Sequence, residues 1–183
     1  MPEPPSSSDP RAVELVDLEG TGRERAIPVI RDGFVGIYRW HAKRTLREVP
    51  TVRAVQLGGE VVAVSLLDRL VPEVGYVYYI SVKTAHRGTG LGSRLLDDAL
   101  ERFRTRGVQV VFAAVQSDNV PSLRLFERRG FRPVERRETV WKQGGLGAWG
   151  LRSRMRLVPG ERLLGLRLRG PDPGSVSRDS PPG

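Results

Sequence analysis

Apolar residues fall along the chain in two rhythms. Leu91, Leu95, Leu96, Ala99, Leu100 and Phe103 recur at helical spacing, and Gly107 follows where a helix would stop. Val108–Val115 is a short apolar run that reads as a buried strand. Tyr76–Val82 is dense in aromatic and β-branched residues and suits another. Thr51–Leu57 and Glu60–Leu67 are strand-like, and the Gly58-Gly59 pair between them signals a tight hairpin. Ala12–Leu18 alternates and predicts a first strand. From about Arg23 to Leu46, the spacing of Ile27, Ile30, Phe34, Ile37, Tyr38 and Leu46 suits one or two helices, with Gly33 and Gly36 as interruptions. Pro121–Arg129 predicts a short helix that starts near a proline and ends at Gly130. Two more strands are expected up to about Leu157, around a Gly-rich connection at Gly144–Gly147. Leu164, Leu166 and Leu168 alternate, which suits a last edge strand or a contact with a second copy in a homodimer.

Antiparallel hairpins therefore come first and a β-α-β crossover follows. That order predicts an α/β (α+β) fold, a mixed sheet with helices packed on it. Residues 1–10 are rich in Pro and Ser and read as a disordered tail. Residues 11–158 are expected to form one domain, and 159–183 a C-terminal extension, mostly disordered after 170.

Composition narrows the chemistry. The 183 residues are 39% hydrophobic and 28% charged, which suits one domain with a real core. Cysteine is absent, so disulfides, thiolate metal sites and cysteine nucleophiles are excluded. Two histidines, His41 and His86, are too few for a histidine-rich site, and no metal is expected. The net charge of +9 is carried mainly by arginine and is spread along the chain. Without a helix-turn-helix or zinc signal it predicts no specific nucleic-acid partner. No stretch approaches the ~18 apolar residues of a membrane span, and the N-terminus lacks a basic region followed by an apolar run. A cytoplasmic, membrane-free protein is expected.

The most informative segment is Ile80-Ser81-Val82-Lys83-Thr84-Ala85-His86-Arg87-Gly88-Thr89-Gly90-Leu91-Gly92-Ser93. A strand runs into glycines and then into a helix. The first turn of a helix has unpaired N–H groups and a partial positive charge, and glycines let a ligand approach the backbone. Such a turn holds phosphates, and Lys83, His86 and Arg87 add side-chain donors. Gly88, Gly90 and Gly92 fall at every second residue, which is not the dinucleotide pattern, and no lysine follows them as a Walker loop requires.

What remains is R-x-x-G-x-G, on Arg87, Gly90 and Gly92. This segment resembles the acetyl-CoA loop of the GNAT N-acetyltransferase superfamily. The resemblance extends through Leu95-Leu96 to Ser117–Phe131, where Asn119, Ser122, Leu125 and Gly130-Phe131 match the family's usual form. Specific matching covers roughly residues 76–134.

The resemblance implies the acyl-CoA N-acyltransferase fold, with a mostly antiparallel mixed sheet. It implies acetyl-CoA as cosubstrate and direct acetyl transfer to a primary amine of a small molecule or protein. Backbone groups of Ile80 and Val82 would pair with pantetheine. N–H groups of Arg87, Gly88, Thr89, Gly90, Leu91 and Gly92 would bind pyrophosphate, with Ser93 as a side-chain donor. Asn119 would touch the pantetheine arm and also suits a helix N-cap. Phe126 stands where the family often has a tyrosine that protonates the leaving thiolate, which leaves open a non-catalytic acyl-CoA-binding protein of the same fold. For the general base, the resemblance points to Glu73 or Tyr76, with His41 and His86 as alternatives.

Overall fold

A computed structural model describes residues 13–134, 154–155 and 157–168. The expected tails and the strands around Gly144–Gly147 lie outside these residues. The elements run β1 (Val13–Asp17), α1 (Ile27–Gly33), α2 (Gly36–Glu48), β2 (Thr51–Leu57), β3 (Glu60–Val71), β4 (Val74–Val82), α3 (Leu91–Thr105), β5 (Val110–Gln116), α4 (Val120–Glu127), β6 (Arg132–Pro133) and β7 (Glu161–Arg167). Short 3-10 turns precede α1 and α3.

The strands form one sheet in the order β1-β2-β3-β4-β5-β7-β6. Pairing is antiparallel except between β4 and β5, which the α3 crossover joins in parallel. Gly58 and Gly59 take φ of +53° and +82° in the β2–β3 hairpin, the left-handed conformations that a two-residue loop demands. One segment departs from expectation. Residues 161–167 are not an extension or an edge strand: β7 pairs with β5 over its full length and carries β6 on its other side. Leu164 is consequently a core residue, 1% exposed.

Alternation sorts β2 between two layers. Val52 and Ala54 pack with α1 and α2 on one face, whereas Val55 and Arg53 face α3 on the other. Helix α3 buries the six apolar residues that its spacing announced. It ends in a Schellman motif: the N–H groups of Val108 and Gly107 donate to the carbonyls of Phe103 and Arg104, with Gly107 at φ +74°.

Candidate active site

Strand β4 carries a bulge. Its register against β3 passes from Leu66↔Tyr79 to Leu67↔Val77, so Tyr78 is an extra residue. A bulge re-aims side chains. Here Tyr78 and Tyr79 both turn to the α1/α2 face, and Ile80 and Val82 turn to the α3 face. Beyond the bulge, β4 parts from β5. Their pairing stops at Val77↔Ala113, although β4 runs on to Val82 and β5 to Gln116. Backbone polar groups rarely stay unpaired inside a protein, so this gap is a place for a ligand to complete.

The gap opens onto the glycine turn. The carboxylate of Asp32, at the end of α1, accepts a hydrogen bond from the Thr84 N–H and hangs the turn on α1. That bond, with Arg87 and Lys83 nearby, holds the Asp32 carboxyl below its usual range. Gly90 caps α3 at φ +85° and, having no side chain, leaves the N–H groups of the first turn of α3 without a side-chain cap. A Cβ built on Gly88 or Gly90 would meet no atom within 4 Å, so the space above the turn is open. The resulting cleft, about 580 Å³, is lined by Ile80, Val82, Arg87, Gly88, Gly90, Leu91, Gly92 and Ser93. Thr89 does not line it; its hydroxyl donates to the His86 carbonyl at 2.6 Å. Arg124 of helix α4 and Arg128, its C-cap, add to the cleft wall, and His86 lines it too. Open backbone donors with arginines beside them fit a diphosphate-bearing substrate.

The cleft continues inward to a chamber of about 170 Å³, through shared walls at Gly33, Phe34, Ile80, Asn119 and Ser122. Asn119 caps α4, its Oδ1 accepting from the Ser122 N–H at 3.2 Å. Phe126 is buried edge-to-face on Phe131 and lines the chamber. Tyr38, Tyr78, Tyr79 and Glu161 complete the wall. Tyr78 donates its hydroxyl to the Arg154 carbonyl at 2.6 Å, and burial pushes it up to about 12. Burial also raises Tyr38 and Tyr79. Glu161 Oε2 accepts from the Val158 N–H at 2.8 Å, and burial pushes this carboxyl up.

Neither expected base is here. Glu73 lies exposed in the turn before β4, and its carbonyl accepts from the Gln109 and Val110 N–H groups. The nine residues of β4, at about 3.3 Å each, separate it from the glycine turn by roughly 27–30 Å. Tyr76 is 2% exposed and packs on Leu70, Phe112 and Met155. Burial drives its hydroxyl well above the ordinary tyrosine range, and it lines neither cavity. His41 also lines neither cavity and packs edge-on against Trp40.

The sequence reading missed Glu161, Tyr79, Arg124 and Arg128. The two arginines had a readable signal, since i and i+4 share one face of a helix. Glu161 had none: only the insertion of β7 beside β5 sets it opposite Gln116.

Comparisons with known proteins agree with this geometry. The model of the acetyltransferase (GNAT) family matches residues 23–131. Mycothiol acetyltransferase of Corynebacterium glutamicum is 32% identical over 78 residues, 43% of this chain and 27% of the relative. The chain thus spans about a quarter of the length of that relative. The N-alpha-acetyltransferase RimI of Mycobacterium tuberculosis is 29% identical over 153 residues, 80% of this chain and 95% of the relative. Among solved structures, the ribosomal-protein alanine N-acetyltransferase of Escherichia coli superposes with TM-score 0.64 at 18% identity, covering 88% of this chain and 98% of that one. A GNAT family acetyltransferase from Elizabethkingia anophelis with acetyl-CoA bound gives 0.63 at 14% identity, covering 85% and 98%. These structural likenesses show a shared fold, and the family match covers well over half of the chain: the chain belongs to the GNAT acetyltransferase family.

Proposed function

We propose that the chain is an N-acetyltransferase that moves an acetyl group from acetyl-CoA directly to a primary amine of a small molecule or protein. The observation that carries this reading is the separation of β4 from β5, opening at one end onto the glycine turn. Backbone groups of Ile80 and Val82 would hold the pantetheine arm. N–H groups from Arg87 to Gly92 and the Ser93 hydroxyl would hold the pyrophosphate, with Arg87, Arg124 and Arg128 adding charge. Asn119, at the junction of cleft and chamber, would touch the arm near its reactive end. The acceptor would enter from the chamber, between α1/α2 and the bulge.

In the reaction, the neutral amine attacks the thioester carbonyl, and backbone donors of β4 would steady the oxygen that gains charge. Phe126 offers no proton to the leaving sulfur, so that proton would come through water. The same residue favours the second reading, an acyl-CoA-binding protein without turnover. Thermal stabilisation by acetyl-CoA and thiol release across an amine panel separate the two. At 100 times its Kd the ligand should add about 2.7 kcal/mol of stability. Gly90→Glu, which sets a carboxylate where the pyrophosphate would lie, should abolish the gain. A folded parent that acetyl-CoA fails to stabilise overturns the proposal, and binding without thiol release favours the second reading.

A further inference from the structure

The protein carries a net charge of +9, yet among the described residues one charged side chain lines the inner chamber, and it is a carboxylate. Glu161 stands at the first residue of β7, opposite Gln116 on β5, where the β4–β5 gap meets the chamber. Its Oε2 is held by the Val158 N–H, while Oε1 accepts no hydrogen bond among the described residues. The groups facing it are aromatic or neutral: Tyr38 from α2, Tyr76 and Tyr79 from β4, and Gln116. No lysine or arginine of the described residues forms an ion pair with it. A half-buried carboxylate without a cation is costly unless something positive arrives to meet it. Aromatic faces at Phe34, Tyr38 and Tyr79 would welcome the same kind of guest.

We propose that Glu161 receives the acceptor: its carboxylate binds the ammonium form of the amine and takes the proton that must leave before nitrogen can attack. This rests on the acetyl-transfer reading above. The proton balance is complete. An alkylamine of pKa ~10 enters mostly as the ammonium at neutral pH. Glu161 takes one proton and the nitrogen lone pair is freed. The new bond joins nitrogen to the thioester carbonyl carbon. The carbon–sulfur bond breaks, with its electron pair leaving on sulfur. Nitrogen's second proton reaches that thiolate through water, and the Glu161 carboxyl returns its own to solvent. Burial suits the carboxylate to this task, because a base works best with a pKa nearer the working pH. The acceptor class follows: a single basic primary amine on a slender arm, entering a chamber of about 170 Å³.

The test compares the parent with Glu161→Gln, using peptide α-amines and alkylamines graded in basicity as acceptors. General-base loss should lower kcat/KM by about 10²-fold or more for amines protonated at the assay pH. The loss should shrink for weakly basic amines that are already neutral there, a trend no merely structural role would produce. The acetyl-CoA Kd should stay unchanged. In the parent, kcat/KM should rise with pH through a limb above the ordinary carboxylate range, because the carboxyl must be ionised to act, and Glu161→Gln should lack that limb. Glu161→Asp keeps the charge but retracts it, and should fall between the two. Should the Gln variant fail to fold, the parent's pH profile and the Asp variant carry the test. Equal kcat/KM in parent and Gln variant, or a loss independent of amine basicity, overturns the assignment while leaving acetyl transfer intact. A parent that binds acetyl-CoA but turns over no amine overturns the assignment too, since no amine is then received. A parent that does not bind acetyl-CoA overturns the reading beneath it.

Discussion

Removing the Asp98 carboxylate tests what holds α3, and with it the glycine turn, against the sheet. Arg53 projects from β2 beneath α3 and is 7% exposed. Its Nε and Nη2 donate to the two Asp98 oxygens at 2.9 and 2.8 Å, and its Nη1 lies 3.2 Å from Asp17. Arg102, one turn along α3, donates to Asp17 at 2.6 Å and lies 3.6 Å from Asp98. Stripping a buried charge of its partner costs about 3–5 kcal/mol. Here Asp17 remains, itself partly exposed, which lowers the expected cost of Asp98→Ala to about 2–3 kcal/mol. At about 2–4 °C per kcal/mol for a domain of this size, Tm should fall by roughly 4–12 °C. Urea denaturation of Asp98→Ala, Arg53→Met and the double variant closes the cycle. The double variant should recover at least about 1 kcal/mol over the sum of the singles, because it leaves no lone buried guanidinium. Additive singles, or a loss below about 0.5 kcal/mol for Asp98→Ala, would refute the reasoning. They would reduce the network to a screened surface cluster and leave α3 held by its apolar face alone. Acetyl-CoA affinity measured well below Tm should hold, since seven residues of helix, about 10 Å, separate Asp98 from Leu91.

Gly75→Ala should destabilise by about 1–2 kcal/mol in urea, because its Cβ would stand 2.9 Å from two ring atoms of the buried Phe103; Phe103→Leu in the same chain should relieve most of that loss. Arg124→Ala with Arg128→Ala should weaken acetyl-CoA binding several-fold at low salt in calorimetric titration, and the deficit should shrink as salt screens these exposed charges. For Asp32 the folded pKa lies below its unfolded value of ~3.9. Its contribution is therefore present above that value and is lost as pH falls through the folded pKa. An NMR titration of the Asp32 carboxyl should show a midpoint below ~3.9, and Asp32→Asn should speed Thr84 amide exchange at neutral pH; a midpoint at or above ~3.9 would contradict the bond to Thr84.

What the sequence disclosed and what it hid divide along the range of the interactions involved. The glycine turn, α3 and its stop at Gly107 are local: their φ angles, their cap and their helical spacing are all written within about twenty residues. The hairpin at Gly58-Gly59 is equally local. The break between α1 and α2 was half legible, because Gly36 at φ +53° marks it, although apolar spacing runs on across it. The chamber is different. Tyr78 and Tyr79 look like ordinary alternating strand residues, and only their register against Leu66 and Leu67 reveals the bulge that puts both on one face. The resemblance points to Glu73, which stands just before β4 in sequence, yet a strand has two ends, and the gap lies at the other one. Glu161 carries no such signal, because the alternation of Leu164, Leu166 and Leu168 suits an edge strand or a contact with a second copy as well as an interior strand. A period of two says which residues share a face, and nothing about which strand lies beside them. Once β7 enters between β5 and β6, that ambiguity is gone, and the first residue of the strand becomes the charged group of the chamber. The backbone donors for the diphosphate are thus a property of one segment, whereas the place for the amine is made only when separate segments, Phe34–Tyr38, Val77–Ile80, Ala114–Gln116, Asn119–Phe126 and Glu161, are brought together by the fold.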